Sequence, residues 1–204
     1  MKRLAILGAS GHGKVVAEVA ELTGWDVAFF DDGFPVRSMN GGWRVEGNTE
    51  HLLERTDQFT GVAIAIGQNT VRIAKLLVMR EAGFSLPVLI HPRAVVSERA
   101  SLGDGTVVFA GAVINPFVEA GEGCIFNTLC SVDHDCRLGD GVHVSPGANI
   151  AGGVSVGRAA WIGIGSCVRQ LVHIGEQAVV GAGAAVVNDV PDGVTVLGVP
   201  ARSR

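Results

Sequence analysis

The chain has 204 residues, a formal net charge of −4 and 29 glycines, with only 5% aromatic residues. That length accommodates one large or two small domains. The acidic balance and the lack of any basic run argue against a nucleic-acid partner. Met1-Lys2-Arg3-Leu4 leads straight into a short apolar run rather than a signal peptide, and no apolar stretch approaches membrane-spanning length. A protein of the cytoplasm is expected.

The first ninety residues alternate strand and helix signals. Leu4–Leu7 reads as a strand, followed by a glycine-rich turn, Gly8-Ala9-Ser10-Gly11-His12-Gly13-Lys14. A helix is expected next, with Val15, Val16, Val19, Ala20 and Leu22 inward and Gly24 past its end. Asp26–Phe30 reads as a second strand, closed by Asp31-Asp32-Gly33, and residues 34–47 carry loop signals. Asn48 is placed to cap a short helix, with His51 as a solvated helix residue. Val62–Ile66 forms a third strand ending in Gly67-Gln68-Asn69. Asn69 is then expected to cap a long helix with an apolar stripe of Val71, Ile73, Ala74, Leu77 and Val78, and Pro87–Ile90 reads as a fourth strand. This alternation predicts a small parallel sheet, a Rossmann-like α/β domain over residues 1–90.

From Val96 to Val186 the period is six. Every sixth residue is bulky and apolar except Ala120, and a second, smaller column follows four positions later and includes Cys124, Cys130 and Cys136. Neither a helix (period 3.6) nor a simple strand (period 2) produces this pattern. It predicts a stacked repeat whose units bury one another's apolar faces. Three hexads make an 18-residue triangular coil of parallel β-helix, with the bulky column inward, the small column in the corners and small residues at the bends. The unbroken register predicts no long loop, and residues 91–204 form this second domain. The three column cysteines lack CxxC spacing and read as small buried hydrophobes in a reducing compartment.

Two stretches carry candidate chemistry. The turn at 8–14 lies between a strand and a helix, where free amides and the helix dipole attract phosphate. Asp31 lies about twenty residues on, where dinucleotide folds place a carboxylate on a ribose. The order is Gly-x-x-Gly-x-Gly rather than the dinucleotide G-x-G-x-x-G, so a plain strand–helix turn and a solvated Asp31-Asp32 are equally compatible. In Phe126–Cys136, His134 falls on an outer position beside Asp135, and His143 lies half a coil further. Gly152, one coil above His134, with Gly153 forms a bare patch with room for a ligand. A solvated surface histidine is the bland alternative.

The hexads resemble the left-handed β-helix of the hexapeptide-repeat acyltransferases, and the handedness rests on that resemblance. Gly8–Lys14, Asp31-Asp32, Gly67–Asn69, Asn127–Cys136 and Gly198-Val199-Pro200-Ala201 together resemble the PglD/NeuD-like sugar acetyltransferases, over nearly the whole chain. The resemblance implies a homotrimer that uses acetyl-CoA, without a metal, to N-acetylate a nucleotide-linked 4-amino-4,6-dideoxy sugar. UDP-4-amino-4,6-dideoxy-N-acetylglucosamine is the first expectation and GDP-perosamine a close competitor. It further implies His134 as general base, Asp135 as its orienting carboxylate and Asn127 near the thioester. His143, Gly152 and Ile164 would line the acetyl-CoA groove, and Ser10, Gly11, His12, Asp31, Asp32 and Gly67 would face the sugar nucleotide. PglD carries Glu after its histidine where this chain has Asp135, so the shorter arm is expected to orient the ring less directly.

The chemistry agrees with direct transfer to an amine. Imidazole has a suitable pKa for the base, a carboxylate fixes its tautomer, and Asn127 or amides would hold the oxyanion. Cys130 points inward and is rejected as nucleophile. Three rival readings use the same repeat. A sialic-acid O-acetyltransferase differs only in acceptor. A γ-carbonic-anhydrase-like metalloenzyme would need His134, His143 and His173 on zinc, yet they are separated by nine and thirty residues against an 18-residue coil. A non-catalytic scaffold would leave the His–Asp pair an accident.

Overall fold

The computed structural model describes residues 2–204, which fall into two compact units, one ending at Pro92 and the other running Arg93–Arg204. In the first unit, β1 (Lys2–Leu7), α1 (Gly11–Leu22), β2 (Trp25–Phe30), β3 (Met39–Asn40), β4 (Trp43–Gly47), α2 (Thr49–Leu53), β5 (Gly61–Ile64) and α3 (Asn69–Glu81) follow in order. The sheet runs β3-β4-β2-β1-β5, with β1, β2, β4 and β5 parallel and β3 antiparallel to β4. Leu4–Leu7 of β1 are fully buried, as the central strand of an α/β sheet must be. The chain leaves β1 towards β2 on one side, while β5 lies on the other. That reversal of direction puts a crevice at the carboxyl end of β1, where open α/β sheets bind ligands.

Several local expectations are corrected. Residues 39–47, read as loop, form the β3–β4 hairpin around Gly41-Gly42. Two turn-forming glycines mask strands too short to show a period. Leu89–Ile90 is a strand but no member of this sheet. On α1 the buried face is Gly13, Val16, Ala17, Val19 and Ala20, leaving Val15 and Leu22 exposed. On α3 it is Asn69, Arg72, Ile73, Leu76 and Met79, with Leu77 and Val78 exposed. On α3 hydropathy alone assigns the wrong face because it passes over the buried Arg72. Gln68, not Asn69, is the N-cap of α3, and Asn69 is its first helical residue. Asn48 does cap α2, and His51 returns the bond from Asn48 N in a reciprocal capping box rather than standing solvated.

The second unit is a triangular parallel β-helix. Its three faces are ladders of two-residue strands paired with an 18-residue offset: Val95, Val113, Ser131, Asn149, Cys167 and Ala185 begin the strands of the first face. Ser101, Glu119, Arg137, Ser155 and His173 begin those of the second. Val107, Ile125, His143, Trp161 and Val179 begin those of the third. The offset shortens to 16 only at the end, where Val179 pairs with Thr195. From Val108 onwards the bulky column is buried, each large member contributing about 1.5–3 kcal/mol. The polar members of the corner column are satisfied: Thr106 Oγ1 donates to Gly121 O and accepts from Cys124 N, and Ser166 Oγ donates to Gly163 O.

The bends are sharper than composition suggests. Every sixth residue from 105 to 183 has positive φ: eight glycines, and also Phe117, Leu129, Asp135, Ala159, Leu171 and Gln177. The glycines directly after the bulky column serve a different purpose. A Cβ on Gly157 would lie 2.4 Å from Glu176 N of the next coil, so these positions are set by close backbone approach.

Candidate active site

The sequence candidates of the first unit converge on the carboxyl edge of its sheet: the glycine turn follows β1, Asp31-Asp32 follow β2, and Gly67 follows β5. Ser10 is the extended N-cap of α1, with no side-chain cap bond, and both Ser10 and Gly11 are exposed. His12 is partly buried. Desolvation, reinforced by the charge of Arg72, holds its pKa down to about 4, so the imidazole is neutral at pH 7.

Both carboxylates expected to face the acceptor are engaged within the chain. Asp31 accepts from Ala9 N at 2.7 Å and Gly33 N at 2.9 Å, and pairs with Arg37 at 3.0 Å. Burial alone would raise its pKa, but those amides and Arg37 outweigh it and the pKa falls. Asp31 therefore braces the start of the glycine turn. Asp32 accepts from Thr49 Oγ1 at 2.6 Å, Thr49 N at 3.0 Å and Lys75 Nζ at 2.9 Å. Against the effect of burial, these bonds bring it down to about 2. Beside them a cavity of about 790 Å³ is lined by Asp32, Gly33, Phe34, Val36, Arg37, Ser38 and Met39.

In the β-helix, His134 stands exposed at the vertex between the first and second faces, and its Nδ1 lies 2.7 Å from Asp135 Oδ2. The shorter arm reaches the ring after all, because Asp135 has φ 59° and the bend carries its carboxylate back alongside. Aspartate tolerates this left-handed conformation better than most residues. With Nδ1 bonded to a carboxylate, Nε2 carries the free lone pair. Asp133, which sequence reasoning passed over, accepts from His134 N at 2.8 Å and from Asn115 Nδ2 at 3.0 Å, fixing the vertex to the coil below. The Asp135 hydrogen bond, then the Asp133 charge, raises the His134 pKa above its ordinary 6.5.

The bare patch over Gly152 is not open. A Cβ there would lie 2.7 Å from His134 Cε1 and 2.8 Å from Nε2, and one on Gly153 would lie 2.7 Å from Leu171 Cδ2. The room expected for a ligand holds the imidazole itself, and the glycine sets where the ring rests.

Asn127 and His143 form a second cluster. Asn127 Nδ2 is 3.1 Å from His143 Nε2, while Asn127 Oδ1 accepts from Thr128 N. His143 is buried on the third face and stacks on Trp161 with centroids 5.5 Å apart and planes 9° apart. Trp161 Nε1 donates to Ser145 Oγ at 2.7 Å. Ile164 is exposed at the vertex that also carries Thr128, two coils higher. The two clusters occupy different vertices of the triangle, so one chain does not bring His134 to Asn127. His173 lies on the second face, its Nδ1 2.8 Å from Ser155 Oγ, apart from both. Cys130 is buried, and desolvation pushes its thiol up to about 12, which removes it as a nucleophile.

The His134–Asp135 pair fixes an expected pH dependence. A raised pKa keeps the imidazole protonated to higher pH, so with His134 in the expected role of general base kcat/KM should rise through a midpoint above 6.5. Asp135→Asn removes the main cause and should move that midpoint down towards the ordinary imidazole value. A pH–rate profile of both proteins checks this, and an unmoved midpoint would refute it.

Residues 3–76 match the family described as PglD N-terminal domain. The GDP-perosamine N-acetyltransferase of Escherichia coli O157:H7 is 29% identical over 99% of this chain and 96% of its own length. The acetyltransferase domain of PglB from Neisseria gonorrhoeae is 42% identical, covers 100% of both chains and superposes with a TM-score of 0.95; the same domain has also been solved with acetyl coenzyme A. A point mutant of perosamine N-acetyltransferase from Caulobacter crescentus, solved with CoA and GDP-perosamine, is 41% identical over 100% of this chain and 97% of its own, with a TM-score of 0.96. These proteins share the α/β unit followed by the left-handed β-helix.

Proposed function

The chain belongs to the PglD/NeuD-like hexapeptide-repeat sugar acetyltransferases, and from that premise we propose that it transfers acetyl from acetyl-CoA to the 4-amino group of a nucleotide-linked 4-amino-4,6-dideoxy sugar. The observation that carries the reading is the His134–Asp135 pair at 2.7 Å, on a vertex braced by Asp133 and Gly152, within a fold shared from end to end with such enzymes. The amine nitrogen attacks the thioester carbonyl and its proton passes to His134 Nε2. The tetrahedral oxyanion collapses, the C–S bond breaks, and the proton goes on to the departing thiolate. Asp135 holds the tautomer and stabilises the imidazolium. Since one chain does not bring His134 to Asn127, the polar groups for the thioester, Asn127 and His143, would come from a neighbouring copy, with Ile164 further along the same groove, and no covalent enzyme intermediate is required.

Two acceptors are supported by different observations. The PglD-type N-terminal domain favours UDP-4-amino-4,6-dideoxy-N-acetylglucosamine, while the two perosamine enzymes favour GDP-perosamine. A homotrimer belongs to the same reading. Phe117, Leu129 and Leu171 stand exposed at the vertices, an apolar surface that neighbouring copies would cover. Work in the cytoplasm belongs to the same reading; no helix among the described residues is long and apolar enough to cross a membrane.

The test is thiol release from acetyl-CoA against UDP- and GDP-linked 4-amino sugars and free sialic acid. Turnover on one amino-sugar nucleotide is expected. Turnover on sialic acid alone would move the enzyme to O-acetylation, and none at all would overturn the reading.

A further inference from the structure

The largest fully buried side chain of the described residues is a charged one, Arg72 on α3, only 1% exposed. A guanidinium out of water is costly unless its donors are used. Arg72 Nη1 donates to Ile66 O at 2.9 Å and Gly67 O at 3.2 Å, and Nη2 donates to Asn69 Oδ1 at 2.9 Å. All three acceptors belong to the four-residue turn 66–69, which leaves β5 at the carboxyl edge of the sheet.

The planarity of the peptide bond turns this grip into a statement about the opposite side of the turn. In a trans peptide the C=O and N–H point in opposite directions. The carbonyls of Ile66 and Gly67 aim at the guanidinium, so the N–H groups of Gly67 and Gln68, in the same two peptide planes, aim away from it. Among the described residues neither amide has an acceptor within the chain. Nothing lies within 4 Å of where a Gly67 Cβ would be, and Gln68 is exposed. Two successive amides are therefore turned away from a buried positive charge, on a turn with free space beside Gly67 Cα and with Gln68 exposed. The glycine turn after β1 adjoins this turn, since a Gly8 Cβ would lie 2.6 Å from Ala65 O and 3.2 Å from Ile66 Cγ1.

We propose that Arg72 is a positioning residue for the acceptor: it holds the 66–69 turn so that the Gly67 and Gln68 amides donate to the diphosphate of the nucleotide sugar. The assignment rests on the functional reading above, since it takes the diphosphate from that acceptor. It explains why an arginine occupies the interior of a small α/β unit in which a leucine would pack at lower cost. The guanidinium does not touch substrate; it acts through the two carbonyls.

Two substitutions separate the roles. Arg72→Lys keeps the charge but not the planar fork that holds two carbonyls and Asn69 together. Gln68→Pro deletes one of the two amides and leaves Arg72 intact. It suits the backbone, because Gln68 has φ −71°, close to the proline value, and its carbonyl still accepts from Arg72 N. Each variant should raise KM for the amino-sugar nucleotide about tenfold, the loss of one good hydrogen bond to a charged group. KM for acetyl-CoA and kcat at saturating acceptor should stay unchanged. Calorimetric titration with UDP and GDP alone should show the same weakening without catalysis. If the wild type turns over its acceptor and a folded Gln68→Pro protein keeps wild-type KM and nucleotide affinity, the proposal is overturned while the functional reading stands. If no amino-sugar nucleotide is turned over, the functional reading fails first.

Discussion

His134→Ala is expected to reduce kcat by roughly 10²–10⁴-fold, the usual worth of a positioned general base, with little change in stability. The ring is exposed at a vertex, so its removal leaves no core cavity and mainly frees the Asp135 carboxylate from its hydrogen bond. Gly152→Ala tests the same site without touching the base. The new methyl would enter the space of the imidazole, 2.7 Å from Cε1 and 2.8 Å from Nε2, and the ring must swing away. Since a displacement near 1 Å can cost about 10²-fold, the loss should approach that of the histidine variant. Steady-state kinetics on both proteins, with melting temperatures to confirm folding, decide the matter. A His134→Ala enzyme as active as wild type would remove the base, and a fully active Gly152→Ala enzyme would show that the ring works from elsewhere.

Gly8→Ala is expected to destabilise the first unit by about 3 kcal/mol or more, for two independent reasons. Its φ of +115° lies where L-residues with a side chain are strained, and an added Cβ would sit 2.6 Å from Ala65 O and 3.0 Å from Ala65 C. Neither neighbour can retreat, because Gly8 N is bonded to Phe30 O and Ala65 N to Leu7 O, each at 2.8 Å. For a unit ending at Pro92 the melting temperature should fall by roughly 12–24 °C. Thermal unfolding followed by circular dichroism measures it, and a shift within about 2 °C would show that the turn yields more easily than its surroundings imply.

The two units differ in how far they can be read from sequence. The hexad repeat specifies the β-helix and its coil length without a slip, because each coil repeats the same burial problem and hydropathy reports burial directly. In the α/β unit the order of elements is legible, but hydropathy alone misassigns Val15 and Leu22 on α1 and misplaces the face of α3. Leu77 and Val78 take the place of Leu76 and Met79 because Arg72, a buried member of the true face, reads as polar. The β3–β4 hairpin is hidden behind Gly41-Gly42, since a two-residue strand is too short to display a period.

At the site, sequence alone determined residue types and local adjacency: His134 beside Asp135, a glycine turn after β1, and Asp31-Asp32 after β2. Tertiary structure decided what those groups do with their valences. It engaged both aspartates with neighbouring groups that brace the turn and α2, put the imidazole over Gly152, stacked His143 on Trp161, and gave Arg72 to two carbonyls. The physical reason is that an 18-residue coil and a parallel sheet both join residues far apart in the chain. Hydropathy records whether a side chain is buried, whereas the direction of a hydrogen bond depends on the backbone of a neighbouring strand.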